Sequence, residues 1–175
     1  MELVQELPYF SLQNLGGVES NKNSLRILCS RYKKIGKIVS LKKGVYVSER
    51  YILNHLSQLE MTFYHEFVAN ILCQPSYLSL EYVLAENNLL TEMPSNFTSM
   101  TTKTTAHFSN QFGSFFYHKI KKELFCGFTI IKKGEFTIYK ATKAKALFDF
   151  LYLRKNYIAS KSAAEELRLN LDNFN

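Results

Sequence analysis

The chain has 175 residues, room for one domain or two small ones. Being 46% apolar and 14% aromatic, with only 7 Gly and 3 Pro, it is neither a disordered tail nor a fibrous repeat. Its net charge of +7 is unevenly spread: residues 1–50 hold 9 Lys/Arg against 4 Asp/Glu, residues 51–100 none against 5, and residues 101–175 hold 13 against 6.

Phe10, Leu12 and Leu15 give the stretch Ser11–Leu15 a short apolar period, closed by Gly16-Gly17, and it reads as a brief helix before a turn. Ser20-Asn21 offers an N-cap for a second helix over Lys22–Ile35, with Gly36 behind it. Leu25, Leu28, Cys29, Tyr32 and Ile35 recur at steps of three and four and form its expected buried stripe. The opposite face carries Asn23, Arg26, Ile27, Ser30, Arg31 and Lys34. Lys37–Leu41 and Val45–Val47 then flank Lys42-Lys43-Gly44 as a hairpin with a basic tip.

That order predicts a winged helix-turn-helix over residues 1–50. Asn23, Arg26, Ile27, Ser30 and Arg31 offer the donors, acceptors and aliphatic surface that read base edges and thymine methyls in a major groove. Lys22, Lys33, Lys34, Lys42 and Lys43 are placed to touch phosphates. A merely solvated basic face, or a winged helix that binds protein, would show the same pattern.

Residues 51–175 read as a second, α+β unit. Leu56, Leu59, Phe63, Phe67 and Ile71 give Leu56–Cys73 a helical period, and Pro75 ends it. His65-Glu66 on that helix reads as a surface pair. A further helix is expected to open within Ser76–Glu81, capped by Ser79 and apolar at Leu80, Val83, Leu84 and Leu89. Thr98–Thr105 is β-prone or a loop; Phe115–Ile120, Phe125–Ile131 and Phe136–Tyr139 read as strands. Thr142 caps a helix through Leu153 that is apolar almost all round, so it is expected to be nearly fully buried. A polar helix is expected near Ser162–Leu169.

Enzyme chemistry finds little support. His55, His65, His107 and His118 are scattered, with no HExxH and no cysteine at ligand spacing, so neither metal nor cofactor is expected. Cys29, Cys73 and Cys126 form no CxxC pair and read as small buried thiols of a reduced, cytoplasmic protein. No apolar run nears the roughly 18 residues of a membrane span. With Glu2 and Glu6 and no cation before Lys22, no secretory signal is expected.

Four stretches in order, SLRILCSRYKKIGKIVSLKKGVYV, PSYLSLEYVLAENNLL, FFYHKI and YKATKAKALFDFLYLR, resemble the AbiEi-like antitoxins over residues 8–155. These are the regulator half of type IV abortive-infection toxin–antitoxin pairs. The most specific pieces are Tyr77–Leu84 and Ala141–Leu153. The latter matches the family's stretch at Lys145, Ala146, Leu147 and Asp149 and departs from it where Lys143-Ala144 replace the usual Pro-Glu. The resemblance implies an α+β protein: an N-terminal winged helix-turn-helix that represses its own operon, then a mixed α/β antitoxin domain. It implies as partners double-stranded DNA of the chain's own promoter, carrying inverted repeats, and a nucleotidyltransferase-like toxin. The protein would be a monomer in solution or a dimer on DNA, away from membranes.

The competing expectation is a protein-interaction module that neutralises a toxin without binding DNA. Lys119, Lys121, Lys122, Lys132, Lys133 and Lys140 would then face an acidic partner or the toxin's nucleic-acid substrate, unless they are solvated strand edges that discourage aggregation. Lys145 and Asp149, four apart on one helix, read as an exposed helix-anchoring pair sooner than as part of that partner surface.

Overall fold

The computed structural model describes residues 4–15, 21–92, 94–157, 167, 169, 170 and 172. Among them the chain is mixed α+β, with five α-helices and two sheets. It divides into two units, Met1–Tyr64 with Ser109–Phe112, and His65–Phe108 with Gly113–Asn175. The border drawn after residue 50 falls inside the first unit, within a helix.

In the first unit β1 (Phe10–Ser11), β2 (Ile38–Lys42) and β3 (Val45–Ser48) form an antiparallel sheet in the order β1-β3-β2. Helix α1 (Lys22–Lys34) lies between β1 and the β2–β3 hairpin in the chain. Ser48 caps α2 (Glu49–His55) by accepting from the Tyr51 amide at 3.0 Å. Helix α3 (Gln58–Leu72), whose residues from His65 onward belong to the second unit, starts with a reciprocal capping box: Ser57 N–H donates to the Glu60 carboxylate at 3.0 Å, and Glu60 N–H donates to Ser57 Oγ at 3.4 Å. Val4, Phe10, Leu15, Leu25, Cys29 and Ile38 fill the core beside α1.

The helix expected over Ser11–Leu15 does not form. Phe10 and Ser11 pair with Tyr46 and Val45 as a strand, which buries Phe10, and Asn14 Oδ1 then accepts from Ser11 N–H at 2.7 Å and closes a local turn. Gly16-Gly17 lie outside the described residues.

The second unit is built on a six-stranded mixed sheet. Its strands are β4 (Ser76–Leu78), β5 (Asn96–Thr101), β6 (Ala106–Asn110), β7 (Gly113–Lys119), β8 (Phe128–Lys133) and β9 (Phe136–Ala141), in the order β6-β7-β5-β4-β9-β8. Helices α4 (Leu80–Glu86) and α5 (Lys143–Arg154) belong to the same unit. Strand β6 is more than sequence reading anticipated, and Ser76–Leu78 is a strand instead of a helix start, because it pairs residue for residue with Ser99–Thr101 of β5. Ser79 gives α4 no side-chain cap. Thr98 substitutes from the neighbouring strand: its hydroxyl accepts from Tyr82 N–H at 3.1 Å and donates to the Ser79 carbonyl at 2.7 Å.

Thr142 caps α5 as expected, accepting from Lys145 N–H. The burial of α5 departs from expectation. Phe148 and Leu151 are exposed, whereas the residues buried on this helix are Lys145, Ala146, Asp149 and Phe150. Leu59 of α3 is also exposed, and Glu66, expected in a surface pair, is buried. The polar helix expected near Ser162–Leu169 lies outside the described residues.

Candidate nucleic-acid interface

Helix α1 owes its orientation to two termini and one stripe. Asn21 Oδ1 accepts from the Asn23 and Ser24 amides at 2.9 and 3.4 Å, satisfying donors that the first turn would otherwise leave open. At the other end Lys37 N–H donates to the Tyr32 carbonyl and Gly36 N–H to the Lys33 carbonyl, the paired bonds of a Schellman stop. Gly36 adopts a φ of +76°, the left-handed turn this stop requires. Leu25 and Cys29 are buried, and Leu28 and Tyr32 are half-buried, so the stripe forms as predicted. Ile35 is the exception, 65% exposed, because the Schellman stop rotates the chain off the helical stripe at that residue. Burial holds the Cys29 thiol above its ordinary range, which suits packing and not nucleophilic chemistry.

The face turned away from this core carries Asn23, Arg26, Ile27, Ser30, Arg31 and Lys34, all exposed, with Lys22 and Lys33 beside them. Ile27 is 55% exposed, an aliphatic with no internal role. Arg26 Nη1 lies 3.4 Å from Asn23 Oδ1, so the two polar groups sit together one turn apart. At the hairpin tip Lys43 is exposed and Lys42 half-buried; Gly44 takes a φ of +81°, and a bulge lies between Ser40 and Lys42. Residues 21–48 hold eight cations and no Asp or Glu. No acid of that segment can quench the field of this surface.

The second unit treats its cations differently. Lys119, Lys121, Lys122, Lys132 and Lys133 are exposed, as expected. Lys140 is not a surface lysine: it is 12% exposed at the side chain, and its ammonium contacts Glu66 at 2.6 Å and Glu86 at 2.9 Å. Tyr82 OH donates to the same Glu66 oxygen at 2.7 Å. Burial, with the Glu66 carboxylate adding to it, pushes the Tyr82 phenol far up.

Lys145 and Asp149 do pair, at 2.9 Å, but inside the unit, with side chains 8% and 0% exposed. Lys145 also donates to the Leu124 carbonyl at 2.7 Å, while Asp149 Oδ2 accepts from Tyr77 OH at 3.0 Å and Ser79 Oγ at 2.8 Å. Burial first, and Asp149 second, push the Tyr77 phenol far above its ordinary value. Neither residue is open to a partner. The cluster instead ties α5 to β4, to the start of α4 and to the turn at Lys122–Leu124.

Cys73 is buried and Cys126 exposed, so the expectation of three buried thiols fails at Cys126. Among the described residues no group of three or more His, Cys, Asp and Glu could hold a metal ion, and no helix is long and apolar enough to cross a membrane. No protein-family model matches this chain, and no curated protein does.

Proposed function

We propose that the N-terminal unit binds duplex DNA as a winged helix, and that the chain acts as the autorepressor and antitoxin of a type IV toxin–antitoxin pair. The observation supporting DNA binding is the exposed face of α1, whose base-reading side chains stand in a segment free of carboxylates. In this reading α1 enters the major groove with Asn23, Arg26, Ile27, Ser30 and Arg31 toward the base edges, while Lys22, Lys33, Lys34, Lys42 and Lys43 meet phosphates along its flanks and at the wing. Counterion release drives affinity, and the five groove-facing side chains supply selectivity. Two copies on inverted repeats would place one α1 in each half-site. The antitoxin role, with its nucleotidyltransferase-like target, rests on the AbiEi resemblance alone.

Gel shift on the chain's own promoter tests the DNA reading. Specific binding that weakens steeply with salt is expected, and Arg26→Ala should cost about 1–3 kcal/mol of specific affinity. Absence of both sequence preference and salt dependence removes it. A stable complex with the product of a neighbouring gene, without DNA binding, would favour the interaction module presenting Lys119, Lys121, Lys122, Lys132 and Lys133.

A further inference from the structure

The six-stranded sheet opens at one seam. Strands β4 and β9 run parallel but meet at only one residue pair, Leu78 with Lys140. One step back along β9, the backbone of Tyr139 finds no strand partner in β4. The buried Asn70 amide takes that place: Tyr139 N–H donates to Asn70 Oδ1 at 2.7 Å, and Asn70 Nδ2 donates to the Tyr139 carbonyl at 3.3 Å. A side chain of α3 thus props the sheet apart. The space left beside it is a cavity of about 450 Å³, lined by Asn70, Gln74, Ser76, Phe125, Phe128 and Tyr139. That volume falls within the range of small-molecule sites, roughly 300–1,000 Å³.

Its walls are aromatic and fixed. Phe128 stacks on the buried Tyr77, with centroids 4.8 Å apart and planes 19° apart, so it is anchored from behind. Phe125 stands at 62° to Phe128 and Tyr139 at 69°, giving two side walls to one floor. Polar groups accompany them. The Ser76 hydroxyl is buried with no hydrogen-bond partner among the described residues, and Gln74 is exposed at the rim. An unmet buried hydroxyl is a cost that a ligand can relieve.

Such a box could in principle hold a cation or a flat neutral ring. The charges decide. No carboxylate lines the cavity, and the charges behind its floor cancel: Lys145, 5.9 Å from the centroid of the Tyr77 ring that stacks on Phe128, is paired at 2.9 Å with Asp149, which accepts from the Tyr77 hydroxyl. An incoming cation would lose its hydration with no acid in the lining to offset the loss, whereas a neutral ring has no such cost. We propose that this cavity binds a neutral planar heteroaromatic ring of nucleobase size, set against the aromatic walls with its polar edge toward the Ser76 hydroxyl and the Gln74 amide. The ring reaches the site as a free nucleoside or as an unpaired base of a single strand. This assignment does not depend on duplex binding by α1.

Calorimetric titration of the full chain with adenosine tests it, alongside single-stranded oligodeoxyadenylate and choline. Saturable adenosine binding is expected, with the adenine proton resonances shifted upfield by ring currents, and with choline inert. If the oligonucleotide binds more tightly than the nucleoside and Tyr139→Ala removes that advantage, the source is a strand; an oligonucleotide advantage that survives Tyr139→Ala belongs to the basic surface and assigns the cavity to a free metabolite. Tyr139→Ala should weaken adenosine about tenfold or more, since it deletes one stacking wall while keeping the backbone bonds to Asn70. Gln74→Ala, at an exposed position that leaves the fold intact, should weaken it about fivefold. Absence of saturable adenosine binding together with oligonucleotide binding unchanged by Tyr139→Ala, adenosine affinity unchanged in both variants, or choline bound in preference to adenosine would each overturn the assignment. None of the probes contains a duplex, so failure here is separable from failure of the promoter-binding test.

Discussion

The same residue types do opposite work in the two units. Residues 21–48 hold eight cations and no Asp or Glu, and those on α1 are exposed to solvent. In the second unit Lys140, Lys145 and Arg154 each lie within 3 Å of a carboxylate, and the first two are largely buried. An exposed cation on α1 keeps its field turned to solvent and attracts polyanions. One locked to a buried carboxylate has spent that field on holding elements together. Lysine counts do not separate the cases; the placement of acids does.

The comparison breaks most sharply at Asp149. Asp149→Ala should lower stability by about 3–5 kcal/mol in urea titration, because it leaves Lys145 charged and buried and deprives Tyr77 and Ser79 of their acceptor. Next comes Lys140→Met, at about 2–3 kcal/mol, since Glu66 stays buried with Tyr82 OH still bonded to it. Arg31→Ala on α1 should shift stability by no more than about 0.5 kcal/mol. Equal costs at all three positions would erase the distinction between cations that brace the fold and cations that face solvent.

Protonation gives a milder test within the second unit. Burial lowers His65, which packs edge-on against Phe97, and burial likewise lowers His118, where Glu81 opposes the shift and Arg154 adds to it. Both histidines therefore take up protons more readily in the unfolded chain, whose value is near 6.5. Stability from this source is present above that pH and falls as the pH drops through and below it. Urea midpoints should decline from about pH 7.5 to about pH 5.5, and the double variant His65→Gln, His118→Gln should flatten that decline. An unchanged slope in the double variant would place the pH dependence elsewhere.

Legibility tracked how local each signal was. Helix α1, its cap, its glycine stop and the hairpin are written in neighbouring residues, so the sequence shows Asn21, Gly36 and Gly44 in their roles. What sequence missed depends on distant partners. Ser76–Leu78 is a strand because β5 lies beside it, and Ser79 does not cap α4 because its hydroxyl is spent on Asp149, 70 residues away. The apolar coat of α5 suggested burial all round, yet the charged pair lies inside and Phe148 outside. Periodicity ranks residues by hydrophobicity; it has no means of knowing that Tyr77, Ser79 and the Leu124 carbonyl wait to satisfy a lysine and an aspartate. The cavity was invisible for the same reason, since Asn70 meets Tyr139 across 69 positions.

The smallest expected effect is the most selective. Lys43 sits exposed at the hairpin tip beside a half-buried Lys42. If the tip lies along a DNA strand, Lys43→Ala removes one phosphate contact and no base contact. Binding should then weaken to a similar degree on promoter and on unrelated duplex, and the slope of log affinity against log salt should fall by about one. Arg26→Ala should instead reduce the preference for promoter. A Lys43 variant that keeps its slope, or loses discrimination as Arg26→Ala does, would show that the hairpin is not a wing on the backbone. The eight cations would then have to be divided anew between those that touch nucleic acid and those that only keep the surface solvated.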